Sequence, residues 1–339
     1  MTVLSGGAGE TSASVPTPSC LYCRNHSYEP LFDGVRDRLG YVPGTWAFLR
    51  CTICGSAILV PHPSPDRIRQ FYPPIYDFTL EPPQAKSFSA RMKQLEYRGF
   101  FAPMYAQQAA RVLQAVGASR GSSPRLLDIG CGYGLRLLAF RRLGCQVFGA
   151  DFRPEVVAYL RRQLRIPALC VEGEELARRL PVASMDVVTA FHVVEHVSDV
   201  RHLLACALQV LRPGGWLVMT VPLVESLQAV VLKSRWVGAS EAPRHLSIPS
   251  QVGIERLCRE VGFAPVRIRA DHLFNCLGIG VLSLMPAIGT RHAHDGWPNY
   301  VANLARAILA GAVMLPWCLL EQALDRPAIG MVVARKPDT

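Results

Sequence analysis

The segment Leu127-Asp128-Ile129-Gly130-Cys131-Gly132-Tyr133-Gly134 constrains this chain more than any other stretch. It follows a short apolar run from Arg125 that predicts a strand, and it opens Tyr133 to Leu143, whose spacing predicts a helix. Glycines at a strand-to-helix turn let the backbone bend sharply and leave amide groups free for a ligand. Two details separate this turn from a dinucleotide site. An acidic residue opens it, suited to accept from a ligand ammonium and repel a pyrophosphate. The spacing is Gly-x-Gly-x-Gly, whereas dinucleotide folds use Gly-x-Gly-x-x-Gly.

The pattern continues beyond the turn. Residues 145–150, 168–171, 185–191 and 215–221 read as further apolar strands, and 154–164, 174–180 and 200–211 read as helices between them. Continuous apolar strands alternating with helices predict a parallel sheet covered on both faces, an α/β doubly wound fold. Asp151 closes the second strand, where a carboxylate suits the two hydroxyls of a ribose; the alternative is a helix N-cap ahead of Pro154. Glu172, after the third strand, could accept from an adenine amino group or stand as a solvated loop acid.

The front of the chain carries a different chemistry. Cys20-Leu-Tyr-Cys23 and Cys51-Thr-Ile-Cys54 have the spacing of a structural zinc site, two knuckles each aiming two thiolates at one ion. So short a segment can hardly fold on its own core, and metal binding would supply the missing stability. Residues 1–19, rich in Gly, Ser, Thr, Ala and Pro, read as a disordered leader; 20–75 as the zinc-binding segment; 76–120 as linker and helical cap; and 121–339 as the main domain. The 11 cysteines and the absence of a secretory pattern at the start favour a reducing cytoplasm. The net charge of +10 comes from scattered Arg with no basic run, so nucleic acid is not an expected partner. Two apolar stretches, 273–289 and 301–320, fall inside a helical insertion at about 272–326. Asn303, Arg306 and Pro316 make the second a poor spanning helix, so the insertion is expected to pack on the core or rest against a membrane surface.

Residues 125 to 222 resemble the class I S-adenosylmethionine-dependent methyltransferases. LLDIGCGYG, FGAD, VEGEEL, DVVTAFHVVEHVSD and LRPGGWLVMTVP occur in that family's order and spacing. The resemblance implies a Rossmann-like seven-stranded sheet. It also implies that Asp128 with Gly130, Cys131, Gly132 and Gly134 holds the amino acid part of the cofactor. Asp151 would hold the ribose, Glu172 with Phe152 the adenine, and His192 would line the pocket. The front segment resembles the cysteine-rich cap of some bacterial methyltransferases of sugar and secondary-metabolite pathways, as does His245-Leu-Ser-Ile-Pro-Ser250. Sugar C-methyltransferases with such a cap carry Tyr-His-Glu-His-Leu-Ser. Here the block is Ala242-Pro243-Arg244-His245-Leu246-Ser247, without the Tyr and Glu that methylation at carbon would use. His192-Val-Val-Glu195-His196 resembles the block of ubiquinone-type O-methyltransferases, which begins with Glu and helps hold magnesium. His at 192 suits that hard cation less.

Methyl transfer to oxygen or nitrogen then needs a base. His245 is the first candidate, followed by His196 and Glu195. Each could instead merely pack or cap. The expected acceptor is a small molecule, a glycan or a lipid-linked compound, the last favoured by the greasy insertion. Rivals are an RNA methyltransferase with a zinc-bearing module and a non-catalytic protein that keeps the fold.

Overall fold

The computed structural model describes residues 18–72, 95, 97–118, 121–171, 175–285 and 297–338. The expected leader 1–19 lies almost wholly outside them, as do Glu172 and the linker between 73 and 94.

Three strands open the described chain: β1 (Tyr28–Val35), β2 (Trp46–Cys51) and β3 (Ala57–Val60), joined as antiparallel neighbours. After the helix Ala102–Ala115 comes the alternation expected from the sequence. Its strands are β4 (Arg125–Ile129), β5 (Gln146–Asp151), β6 (Ala168–Cys170), β7 (Met185–Phe191) and β8 (Leu211–Pro222). Helices Leu135–Arg142, Pro154–Tyr159 and Val200–Val210 lie between them. The chain ends through β9 (Ser247–Ile248), helix Gln251–Val261, β10 (Val266–Ala270), helices Leu273–Leu284 and Trp297–Ala323, and β11 (Ile329–Arg335).

The large sheet has the order β10-β11-β8-β7-β4-β5-β6. Strands β4 to β8 pair in parallel, and β11 runs antiparallel to both β8 and β10. This is the seven-stranded doubly wound fold expected from the sequence. Successive residues of a strand face opposite layers. Leu126 accordingly packs with Val112, Phe140 and Val157 on one face, while Leu127 packs with Leu203, Leu204 and Leu257 on the other. Burial on both faces explains why the central strands read as unbroken apolar runs. One boundary differs from expectation. β8 begins at Leu211 rather than 215, because Leu211 pairs with Met185 ahead of a register shift at Arg212-Pro-Gly-Gly215.

The cysteine segment is a sheet, which its spacing alone did not reveal. Its order is β1-β2-β3-β9, so the fourth strand comes from residues 247–248, far along the chain. Ser250, the N-cap of helix Gln251–Val261, accepts from the Gly253 amide at 2.9 Å and also donates its hydroxyl to the Cys54 carbonyl. The Tyr22 hydroxyl meets Ser247 Oγ at 2.9 Å. The front segment is thereby built into the main domain.

The helical insertion packs Ala310, Met314, Cys318 and Glu321 inward. Glu321 accepts from the Gln228 amide at 2.8 Å and from its side chain at 2.9 Å, tying the insertion to helix Leu227–Leu232. The opposite face leaves Ile308, Leu309 and Val313 more than 60% exposed. Val301–Ala323 is long and apolar enough to cross a membrane by length and composition, with mean hydropathy 1.6.

Two glycines test this packing. A Cβ on Gly253 would stand 2.1 Å from Ser56 Oγ and 3.4 Å from Cys54 Sγ, while one on Gly278 would meet nothing within 4 Å. Gly253→Ala should lower unfolding stability by about 1–3 kcal/mol through overpacking. Gly278→Ala, in an open helical position, should raise it by about 0.5–1 kcal/mol. Denaturant titration of both variants checks the order, and a reversal would contradict the packing.

Candidate active site

The glycine turn sits where β4 hands over to helix Leu135–Arg142, at the carboxyl edge of the sheet. Gly130 and Gly134 have φ of +64° and +76°, and a Cβ there would stand 2.6 Å from Val193 Cγ2 and 2.5 Å from Leu160 Cδ2 respectively. Backbone shape and space both demand glycine. Cys131 turns inward: its amide donates to the Ala150 carbonyl at 3.1 Å, and its sulfur fills the space where a Cβ on Gly149 would stand. It shapes the turn and leaves neither its side chain nor its amide toward a ligand.

Asp128 is buried and accepts from Thr189 Oγ1 at 2.7 Å. Burial pushes its carboxyl up to about 7, against the lowering pull of the Thr189 hydrogen bond and the Arg136 charge. A carboxylate so placed gains from a cationic neighbour, which fits the ammonium of an amino acid. At the end of β5, Asp151 accepts from the Gly132 amide at 3.0 Å, the Arg153 amide at 3.1 Å and Arg153 Nε at 3.1 Å. The donors gather at one carboxylate, so ribose hydroxyls would have to share it with the Arg153 side chain. Phe152, beside it, is 38% exposed; its ring meets Tyr72 in an edge-to-face pair at 5.6 Å, and the Arg153 guanidinium lies 5.7 Å from its centroid.

The fourth strand leads into the second half of the site. His192, at φ +56°, directs Nδ1 toward Glu195 Oε1 at 3.4 Å, and Asn275 Nδ2 approaches its Nε2 at 3.2 Å. Glu195 is fully buried, and neither carboxylate oxygen makes a hydrogen bond of ordinary geometry. Burial opposes its ionisation, but His192, His196 and His245 around it outweigh burial and hold it below the usual carboxylate range. His196 and His245 meet edge to face at 4.7 Å between ring centroids. His196 Nδ1 lies 3.0 Å from the Arg244 carbonyl, and His245 Nδ1 lies 2.7 Å from the Gly238 carbonyl. A carbonyl only accepts, so each Nδ1 carries the proton and each Nε2 keeps its lone pair. Burial lowers both rings, His196 to about 4. At neutral pH the trio is therefore one carboxylate and two neutral imidazoles. A ligating atom from each of the three lies within 4.8 Å of the others, so the trio offers acceptors for a proton or a cation.

Residues that sequence reasoning overlooked hold this trio. Tyr72, from the proline-rich bridge, places its hydroxyl 2.9 Å from His196 Nδ1. Arg244, fully buried, bonds Asp37 through Nη1 at 3.1 Å and Glu241 through Nε at 3.1 Å, and Arg38 bonds Glu241 in turn. Arg244 stands where the resembling family has Glu, and that substitution was its only trace in the sequence.

The four cysteines of the front segment converge. Cys20 and Cys54 sulfurs lie 3.5 Å apart, Cys23 and Cys51 3.4 Å, and all four within 4.8 Å. Zinc–sulfur bonds of about 2.3 Å in a tetrahedron set sulfurs about 3.8 Å apart, so the four fit that ion. His62 is not among them.

Comparison with known proteins agrees with this geometry. Residues 101–268 match the model of a family described as a methyltransferase domain. The chain belongs to the class I S-adenosylmethionine-dependent methyltransferases. Over 104 residues it is 39% identical to a ubiquinone biosynthesis O-methyltransferase of Bradyrhizobium sp. (strain ORS 278), covering 29% of this chain and 40% of that one. The enzyme of that name from Xanthomonas campestris pv. campestris (strain B100) is 32% identical over 123 residues, 35% of this chain and 51% of its own. This chain thus spans about half the length of the curated relatives it matches. A solved S-adenosylmethionine-dependent methyltransferase from Archaeoglobus fulgidus is 18% identical, covers 73% of this chain and 99% of its own, and has a TM-score of 0.45.

Because Thr189 favours the ionised form of Asp128, Thr189→Val should move that carboxyl's midpoint above 7. Carbon-13 detected titration of labelled Asp128 reads this directly; an unchanged or lowered midpoint would refute the buried setting.

Proposed function

We propose that this methyltransferase acts on an oxygen or nitrogen of a small-molecule acceptor, with His245 as the base. The observation that carries the reading is the buried trio of Glu195, His196 and His245, which holds proton acceptors beside the cofactor turn. S-adenosylmethionine, when bound, supplies a methyl group already activated on positive sulfur, so the protein's task is alignment and proton removal. Asp128 would hold the ammonium, the backbone of Gly130, Gly132 and Gly134 would let the amino acid end approach closely, Asp151 would hold the ribose, and Phe152 would back the adenine. Glu172, expected at the adenine, lies outside the described residues. His192 lines the pocket and donates toward Glu195.

His245 is favoured over His196 on chemical grounds. Tyr72 and the Arg244 carbonyl both engage His196 Nδ1, whereas His245 Nδ1 meets the Gly238 carbonyl. The charges of Glu195 and Glu241 raise the proton affinity of both rings against burial. A proton passing from the acceptor to His245 Nε2 would form a cation that Glu195 stabilises. The same trio supports a second reading, a divalent cation held by Glu195 and the two Nε2 lone pairs of His196 and His245, nitrogens that suit zinc or iron better than magnesium.

Cys20, Cys23, Cys51 and Cys54 would hold a structural zinc ion that stiffens the sheet against which the His245 loop is laid. The exposed apolar face of helix Trp297–Ala323 favours a lipid-linked acceptor over a glycan, and contact with a membrane surface in the cytoplasm. RNA is not supported by any basic, aromatic-interleaved surface in the sequence.

His245→Gln should lower kcat by about 100-fold or more, as loss of a general base does, with little change in cofactor affinity. Since a base works unprotonated and burial lowers the pKa of both rings, kcat at saturating cofactor should hold down to well below pH 6.5, the ordinary imidazole value. Loss of activity with a midpoint above 6.5 would contradict the assignment. Restoration of a chelator-treated enzyme by added metal, with the Cys20 cluster mutated away, would favour the cation reading instead. For the front segment, metal analysis should find about one zinc per chain, lost in a Cys51→Ser, Cys54→Ser variant.

A further inference from the structure

Arg136 is the second residue of helix Leu135–Arg142, directly after the glycine turn. Its guanidinium carbon lies 4.9 Å from the Tyr105 ring centroid and 4.9 Å from that of Phe191. Two aromatic faces thus fix the plane of the fork, and such contact is favourable to a cation. Its Nε donates to Gln108 Oε1 at 3.0 Å. The orientation of that amide is itself determined, because Gln108 Nε2 donates to Asp271 Oδ2 at 3.2 Å. Asp271 accepts from Asn275 at 2.7 Å, and Asn275 reaches His192 at 3.2 Å. A chain of side chains from three separate parts of the sequence therefore holds Arg136 in one place.

Among the described residues no carboxylate pairs with this guanidinium, and its two Nη groups have no partner. That is unusual for a fork so firmly held, since guanidinium suits a bidentate carboxylate. Phe191 ends β7, the strand beside β4, so Arg136 stands over the same sheet edge as Asp128. The charge of Arg136 acts on Asp128. The turn is thus flanked by a negative group and a positive one, the complement of an α-amino acid zwitterion.

We propose that Arg136 binds the carboxylate of the cofactor's amino acid end through its Nη groups, opposite Asp128, which takes the ammonium. The assignment rests on the cofactor reading given above and adds to it the residue that recognises the carboxylate. Neither the motif order nor the family match pointed to a residue inside this helix. Arg136 is thus a binding residue, with no part in proton transfer.

The test compares two ligands that differ by one group, S-adenosylhomocysteine and its decarboxylated analogue S-(5′-adenosyl)-3-thiopropylamine, by calorimetric titration. The wild-type protein should prefer S-adenosylhomocysteine by about tenfold or more, as expected for a charge-assisted bidentate pair. Arg136→Met should bring the preference to within about twofold, and Arg136→Lys, a charge without the fork, should fall between. The ratio of the two affinities does not depend on how much of each variant is folded. A preference that survives in Arg136→Met, or its absence from the wild type, overturns the assignment. Binding of neither ligand by the wild type would instead bring down the cofactor reading beneath it.

Discussion

A buried ion cluster decides how the two halves of this molecule meet. Arg244, with no exposed surface, sits between Asp37 of the front segment and Glu241 of its own loop, and Arg38 completes a neutral set of two cations and two anions. Glu241 is held down to about 2: burial opposes its ionisation, and the two guanidinium groups outweigh burial. Removing one member of such a set leaves an unpaired buried charge, at a cost of about 3–5 kcal/mol. The cluster also carries chemistry on its back. The Arg244 carbonyl accepts from His196, and the next residue is His245. Charge pairing on one side of this backbone sets the tautomer of an imidazole on the other.

The front segment thereby gains a role beyond its own stability. Asp37 reaches the His245 loop by an ion pair, β3 reaches it by strand pairing with β9, and the Cys54 carbonyl reaches the N-cap of the following helix through Ser250. Three independent attachments hold one loop. Four thiols drawn together at one end of the small sheet would stiffen all three at once when metal binds. The site is accordingly assembled from parts that a linear reading assigns to separate domains.

The main sheet was legible in the sequence because its strands are buried on both faces and its helices on one, a contrast written directly in hydropathy. The glycine turn was legible because Gly130 and Gly134 occupy conformations closed to other residues. Other features were hidden for physical reasons. Strands β1 to β3 were hidden because β1 and β2 show no strict alternation of buried and exposed residues, and β3 is only four residues long. Cys131 belongs to the motif, yet its side chain faces the core, which spacing cannot show. Tyr72 lay in a proline-rich bridge with no periodicity. Asp37 and Arg244 are separated by 207 positions, so their pairing exists only once the fold exists. The trio of Glu195, His196 and His245 was foreseen as three candidates, but their mutual approach is a property of the folded chain.

The whole account depends on a cationic amino acid end resting at Asp128 over the glycine turn, with an aromatic face at Phe152 for the base. A crystal structure with S-adenosylhomocysteine tests this most directly. The account predicts the ammonium at Asp128, the ribose at the end of β5 beside Asp151, and the adenine against Phe152. Density for the ligand at another place, or a pyrophosphate-bearing dinucleotide bound over the turn in preference to it, would contradict the account.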